Sequence, residues 1–266
     1  MAALLLGILL LIAAALAVAY LMQNRLIYYP DRYSIGELRQ AADLAELRPW
    51  PAADEAYRGL VSDRASGSRG TVVVFHGNGG SALNRLQYVA ALEGLGFRVV
   101  LAEYPGYGAR DGRLSEASLV ADGKETVRRA AQDFGSPLYV WGESLGSGVT
   151  TAVLADAGLP VDGLALITPF TDLADVAQAV YGPLPVRWLV RDRYDNAANL
   201  RGVQMPVAIL VAEGDELIPP HQAQELYDSL TTRKRLWVWP GAGHNTWPAR
   251  PGAPWWREVA GFLEGS

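Results

Sequence analysis

The chain opens with a stretch that has almost no polar positions. Residues 2–22 carry no charge, and Tyr20 is their one polar-capable side chain. Wound as a helix at 1.5 Å per residue, this run is about 31 Å long, close to the thickness of a bilayer's hydrocarbon core. Gln23, Asn24 and Arg25 end it, and Tyr28 and Tyr29 follow at the level expected of headgroups. The pattern predicts a single-pass transmembrane anchor over residues 1–23, followed by a juxtamembrane connector over 24–56. A cleaved signal is the alternative, because Ala17-Val18-Ala19 fits a small-residue cleavage site. The absence of Lys or Arg before the run, and its length, argue against that reading. Arg25, Arg32 and Arg39 all follow the span, so the positive-inside rule leans toward a cytoplasmic C-terminal domain.

Beyond residue 56 the pattern changes to short apolar runs alternating with amphipathic stretches. Runs at 56–62, 71–75, 98–103, 138–141, 164–168, 207–212 and 235–239 are β-branched or aromatic and apolar on both faces. They predict strands covered on both sides. Helical patterns fill 84–95, 115–134, 145–156, 221–230 and 255–263. The alternation predicts an α/β domain over 57–266 with a mainly parallel sheet flanked by helices. Residues 169–205 break the rhythm: they hold Pro183 and Pro185, no clear strand, and a mixed helical signal. That length predicts a small helical cap insertion.

Composition narrows the chemistry. A net charge of −5 and a pI near 5.3 argue against a nucleic-acid partner. The absence of cysteine removes disulfides, thiolate metal sites and a cysteine nucleophile together. The three histidines are His76, His221 and His244, and no two sit at helical ligand spacing, so a His-rich metal site is not expected. An imidazole base must be one of these three.

The strand at 138–141 runs into Gly142-Glu143-Ser144-Leu145-Gly146 and then a helical stretch. This is G-x-S-x-G between a strand and a helix, where a sharp turn raises a serine hydroxyl and excludes side chains on both flanks. Ser144 is the candidate nucleophile. The strand at 71–75 ends in His76-Gly77-Asn78-Gly79-Gly80, a loop able to aim backbone N–H groups at a developing oxyanion. Asn78 and Leu145 are the candidate donors. His76 precedes Ser144 and is assigned to loop architecture. Asp215, in the turn after the strand at 207–212, is the candidate acid, with Asp172 as the alternative. His244 lies in Pro240-Gly241-Ala242-Gly243-His244-Asn245, where small residues let the loop fold back to the sheet edge, and it is the candidate base. His221, at the start of a helical stretch after Pro219-Pro220, is read as a surface or capping residue. Trp237, Trp239, Trp247, Trp255 and Trp256 are read chiefly as core, with Trp247 also a candidate for an acyl pocket.

These motifs, with Arg25-Leu26-Ile27-Tyr28-Tyr29-Pro30, Tyr104-Pro105-Gly106-Tyr107-Gly108 and Thr168-Pro169-Phe170-Thr171-Asp172, make residues 24–263 resemble the α/β-hydrolase superfamily. The likeness is greatest to its N-terminally membrane-anchored abhydrolase-domain branch. Glu103 departs from it, standing where many such proteins carry aspartate. The resemblance implies a cofactor-free serine hydrolase that forms an acyl-enzyme from an ester or thioester but does not fix the substrate; the anchor, by keeping the domain near a bilayer, points to lipid or acylated substrates. An acyltransferase, a serine peptidase and a catalytically silent membrane scaffold remain alternative readings of the same residues.

Overall fold

The computed structural model describes residues 1–52, 54, 56–62, 67–155, 158–184 and 186–265. It begins with the apolar helix α1 (Ala2–Ile27), whose side chains stand largely clear of the folded domain. The segment expected as a connector has structure of its own. A two-residue strand β1 (Tyr29–Pro30) is followed by α2 (Ile35–Leu44) and β2 (Leu47–Trp50). Ser34 and Glu37 close a reciprocal capping box at the start of α2, which satisfies two backbone donors that a helix start leaves open.

The remaining strands are β3 (Gly59–Ser62), β4 (Thr71–Phe75), β5 (Gly79–Gly80), β6 (Arg98–Ala102), β7 (Leu138–Glu143), β8 (Gly163–Ile167), β9 (Val207–Ala212) and β10 (Lys234–Trp239). Seven of these, with β2, form one eight-stranded sheet in the order β10-β9-β8-β7-β4-β6-β3-β2. β3 runs antiparallel to β6, and β2 antiparallel to β3; every other pairing in the sheet is parallel. All seven predicted strands are present, with ends shifted by up to three residues. The two-residue strands β1 and β5 pair separately in parallel register, Tyr29 opposite Gly79.

Period-two side-chain alternation divides the core. Val72 and Val74 of β4, with Ala165 and Ile167 of β8, face one layer that holds α2, α3 (Leu86–Glu93) and α9 (Pro254–Glu264). Val73 and Phe75 face α4 (Glu116–Phe134) and α5 (Leu145–Leu154). Leu164 and Leu166 face the layer of α8 (Pro220–Ser229). α5 was expected to reach residue 156, which lies outside the described residues. Trp247 packs into the first layer, stacked 5.4 Å from Trp239 and edge-on 5.9 Å from Trp255. It is thus packed as a core residue.

Between β8 and β9 the chain forms α6 (Leu173–Tyr181), a 3-10 turn at Val186–Trp188 and the short α7 (Asn196–Asn199). Pro183 sits between α6 and the turn; Pro185 lies outside the described residues. β4 and β7 are neighbours, yet the chain leaves β4 toward β6 on one side and returns to β7 on the other. Loops from the carboxyl ends of β4 and β7 therefore diverge, opening a crevice at this switch point.

The fully buried Leu166 reports on this core. Leu166→Ala is expected to lower unfolding stability by about 2–5 kcal/mol, measured by chemical denaturation of the detergent-solubilised protein.

Candidate active site

The turn from β7 into α5 is built around two close backbone approaches. A Cβ on Gly146 would lie 2.1 Å from the Phe75 carbonyl oxygen at the end of β4, and one on Gly142 would lie 2.5 Å from the Gly146 carbonyl oxygen. Neither site has room for a side chain. The chain between them is forced into a conformation rare for a non-glycine residue: Ser144 has φ 52° and ψ −117°. Such strain costs on the order of 1–3 kcal/mol and persists only where the surroundings over-determine it. Here the Ser144 N–H donates to the Ile167 carbonyl (2.9 Å), and the Ser144 carbonyl accepts from the Ser147 N–H (2.8 Å) and hydroxyl (2.6 Å).

Ser144 Oγ lies 3.0 Å from His244 Nε2, and His244 Nδ1 lies 2.7 Å from Asp215 Oδ2. The other Asp215 oxygen accepts from the backbone N–H groups of Leu217 (2.9 Å) and Ile218 (2.8 Å). A carboxylate held in this way presents a fixed acceptor, so Nδ1 carries the imidazole proton and Nε2 accepts from the serine hydroxyl. The side chains of His244 and Asp215 are 8% and 3% exposed, which keeps water from competing for the pair. Two further carboxylates fix the His244 loop. Glu216 accepts from the His244 N–H (3.0 Å) and Glu213 from the Gly241 N–H (3.0 Å).

The other candidate residues have other work. Asp172, the alternative acid, caps α6 through the Ala174 N–H (2.7 Å) and bonds the Arg193 guanidinium. His76 is buried and donates from Nδ1 to the Gly77 carbonyl (2.8 Å), with Nε2 3.3 Å from Glu103. It shapes the loop, as its position in the chain implies. Glu103 also accepts from the Tyr33 hydroxyl (2.8 Å) and the Ala82 N–H. Burial, and then the Glu103 charge, push the Tyr33 phenol well above its usual value, so it remains a donor. His221 is exposed on α8.

The loop after β4 lies against the serine: a Cβ on Gly77 would meet Ser144 Cβ at 3.5 Å. Asn78 is held from three sides. Its carbonyl accepts from the Tyr29 N–H (2.9 Å) and the Tyr107 hydroxyl (2.7 Å), and its Nδ2 donates to the Ile27 carbonyl (3.0 Å). Among the described residues, neither the Asn78 nor the Leu145 backbone N–H donates to a protein acceptor.

Two supports were not legible beforehand. Glu143, inside the G-x-S-x-G motif, accepts from the Tyr88 hydroxyl (2.7 Å) and pairs with Arg85 (3.2 Å), which also reaches the Gly79 carbonyl. This ties the serine turn to the glycine loop. Burial, and then Glu143, raise the Tyr88 phenol far above its usual range. From the cap, the fully buried Asn196 donates to the Ser147 hydroxyl (3.2 Å) and the Phe170 carbonyl (2.7 Å) and accepts from Thr151 (2.5 Å). The one faint signal was Arg85 and Tyr88 at helical spacing, i and i+3, across the start of α3.

The crowding at Gly146 is testable. Gly146→Ala is expected to prevent folding or to lower stability by about 3 kcal/mol or more, because the clash is with backbone that cannot turn aside. Gly79→Ala, where nothing lies within 4 Å of the added carbon, is expected to stay within about 1 kcal/mol of wild type by the same denaturation measurement.

Comparison with known proteins agrees with this architecture. A family model described as serine aminopeptidase, S33 matches residues 66–196. An uncharacterized protein of Mycobacterium tuberculosis is 34% identical over 236 residues, covering 84% of this chain and 80% of that one. The lysophosphatidylserine lipase ABHD12 of Danio rerio is 34% identical over 188 residues, covering 64% of this chain and 49% of the lipase; the chain thus spans about half that protein's length. Among solved structures, a Pyrococcus furiosus esterase superposes with a TM-score of 0.63 at 19% identity, covering 83% of this chain and 90% of the esterase. With its N-terminal apolar helix and its eight-stranded, mainly parallel sheet, the chain belongs to the α/β-hydrolase superfamily.

Proposed function

We propose that this protein is a membrane-tethered serine hydrolase that cleaves the carboxylic ester of an acyl lipid, with Ser144 as nucleophile, His244 as general base and Asp215 as the acid that orients it. The observation that carries this reading is the relay from Ser144 Oγ through the imidazole to Asp215, at 3.0 and 2.7 Å, on a serine held at positive φ.

In the proposed reaction His244 Nε2 takes the Ser144 proton as Oγ attacks the acyl carbonyl. The carbonyl oxygen becomes an oxyanion, which accepts from the backbone N–H groups of Asn78 and Leu145. Leu145 opens α5, so the helix dipole adds to its N–H. The imidazolium, stabilised by Asp215, returns the proton to the departing alcohol or lysolipid as the tetrahedral carbon collapses to an acyl-serine. Water then repeats the sequence and releases the fatty acid.

The lipid substrate rests on two supports. One is the similarity to the lysophosphatidylserine lipases. The other is α1, whose stretch Leu4–Ile27 is long and apolar enough to cross a bilayer. A retained anchor holds the site close to a lipid surface, and a thioester of an acylated protein would fit the same chemistry. The S33 description of the matching family model supports a second reading, an aminopeptidase, which shares the acyl-enzyme and differs in its leaving amine.

Ser144→Ala is expected to abolish labelling by a fluorophosphonate probe and to lower kcat on a lysophospholipid on the order of 10⁴-fold or more. Turnover near wild type in that variant would end the assignment. Fatty acid release, compared with release of amine from aminoacyl anilides, separates the lipase and peptidase readings. Asp215→Asn is expected to keep the fold, because its remaining side-chain oxygen still accepts from Leu217 and Ile218. It should lower kcat by about 10³–10⁴ through loss of the productive imidazole tautomer, read from steady-state kinetics on a soluble short-chain ester.

A further inference from the structure

Beyond α1, exposed large apolar side chains among the described residues are scattered along the sequence except at one turn of the cap. Val180 (59% exposed), Tyr181 (47%), Leu184 (45%) and Trp188 (83%) crowd the end of α6 and the 3-10 turn that follows. Local bonds hold this turn together. Gln178 Nε2 donates to the Gly182 carbonyl and to the Leu184 carbonyl (2.9 Å), and its oxygen accepts from the Arg187 N–H (3.4 Å). Asp175 pairs with Arg187 (3.3 Å). A protein that leaves a tryptophan uncovered on a turn fixed in this way presents it to something.

The same stretch of cap is attached to the end of the apolar helix. Gln23 Nε2 donates to the Leu189 carbonyl (3.3 Å), and the Arg191 N–H donates back to Gln23 Oε1 (2.8 Å). The Arg191 guanidinium lies 5.0 Å over the Tyr20 ring and bonds Asn24 Oδ1 (3.3 Å). Residues 20–24 are where an α1 that spans a bilayer leaves the hydrocarbon, because about 20 residues fill it and the first charge, Arg25, follows. Trp188 adjoins the residue that Gln23 holds, so the apolar turn sits at the depth of the headgroup boundary. Its rim carries exposed Arg187, Arg191 and Arg25. An indole and a tyrosine between apolar core and cationic edge fit a phospholipid interface, where aromatic rings concentrate and arginines meet phosphates.

We infer that the cap turn of Val180, Tyr181, Leu184 and Trp188 is a second membrane contact, inserted in the interface of the bilayer that α1 spans. The inference rests on the tethered reading of α1. With two contacts, the helix and the turn, the domain cannot swing freely about its tether. The cap, which supplies Asn196 to the serine turn, is set against the lipid surface.

The chain has no cysteine, so single nitroxide labels can be placed without background. The full-length protein in phospholipid vesicles would be labelled through Trp188→Cys and, separately, through Leu10→Cys on α1. Relaxation by oxygen is then compared with relaxation by a water-soluble nickel chelate. The expected result is that both labels are relaxed more by oxygen than by the chelate, with Leu10 deeper. Labelling of Ser144 by fluorophosphonate shows that each variant is folded, and Leu184→Cys repeats the test should Trp188→Cys fail to label. A chelate-dominated signal at 188 and 184 with Leu10 in lipid overturns the cap contact and leaves the tether standing. A chelate-dominated signal at Leu10 overturns the tether, and the inference with it.

Discussion

Where α5 crosses the end of β4, the backbone at Gly146 comes so near the Phe75 carbonyl that a single added carbon would sit 2.1 Å from it. This approach fixes the start of the helix relative to the sheet, and the serine turn has no other path to follow. It places the Ser144 hydroxyl and the Leu145 N–H at the carboxyl edge of the sheet, beside the crevice left by the reversal of strand order around β4 and β7. The loops after β9 and β10 need then only reach that same edge to bring Asp215 and His244 to the serine. Much of the site's geometry is therefore a property of the sheet, with the loops adding the final adjustment.

The polar groups around this approach stiffen it. Glu143 and Arg85 join the serine turn to the glycine loop on one side, while His76 and Glu103 brace the loop from within. Each is an ionisable pair largely removed from water, and removing one partner from such a pair leaves the other without compensation. Glu103, the residue that departs from the resembling proteins, reaches His76, Tyr33 and the Ala82 N–H together. A Cβ on Gly108 would lie only 2.2 Å from one of its oxygens, so the longer acid is accommodated beside a glycine.

The sheet was legible in the sequence because its inner strands are buried on both faces and read as unbroken apolar runs. The residues of the relay were legible because each follows such a run within a few positions, among glycines. The edge was harder. β2 carries Arg48 and Pro49 among four residues and pairs on one side only, so its pattern is weak. The start of α2, by contrast, carried a readable Ser34-x-x-Glu37 signal inside a stretch expected to be connector. Asn196 and Arg85 could not be read, because their roles are set by partners 45–49 and 6–58 positions away, respectively. That holds for Asn196, bonded to Ser147 and Thr151, and for Arg85, bonded to Gly79 and Glu143. Trp247 was open to two readings because proximity to His244 in sequence says nothing about which way a ring turns.

The three bonds around Asn78 give the exit of α1 a second role. The Ile27 carbonyl and the Tyr29 N–H both hold the residue whose own N–H is the proposed oxyanion donor. A protein shortened after Met22 keeps both grips; one shortened after Asp31 loses them, along with the β1–β5 pairing. Both trimmed forms would lack the charge-free run of residues 2–22, yet only the first would carry an intact loop after β4. Solubility and competence are thus decided by different residues within one ten-residue stretch, and the useful place to cut is set by hydrogen bonds, not by hydropathy.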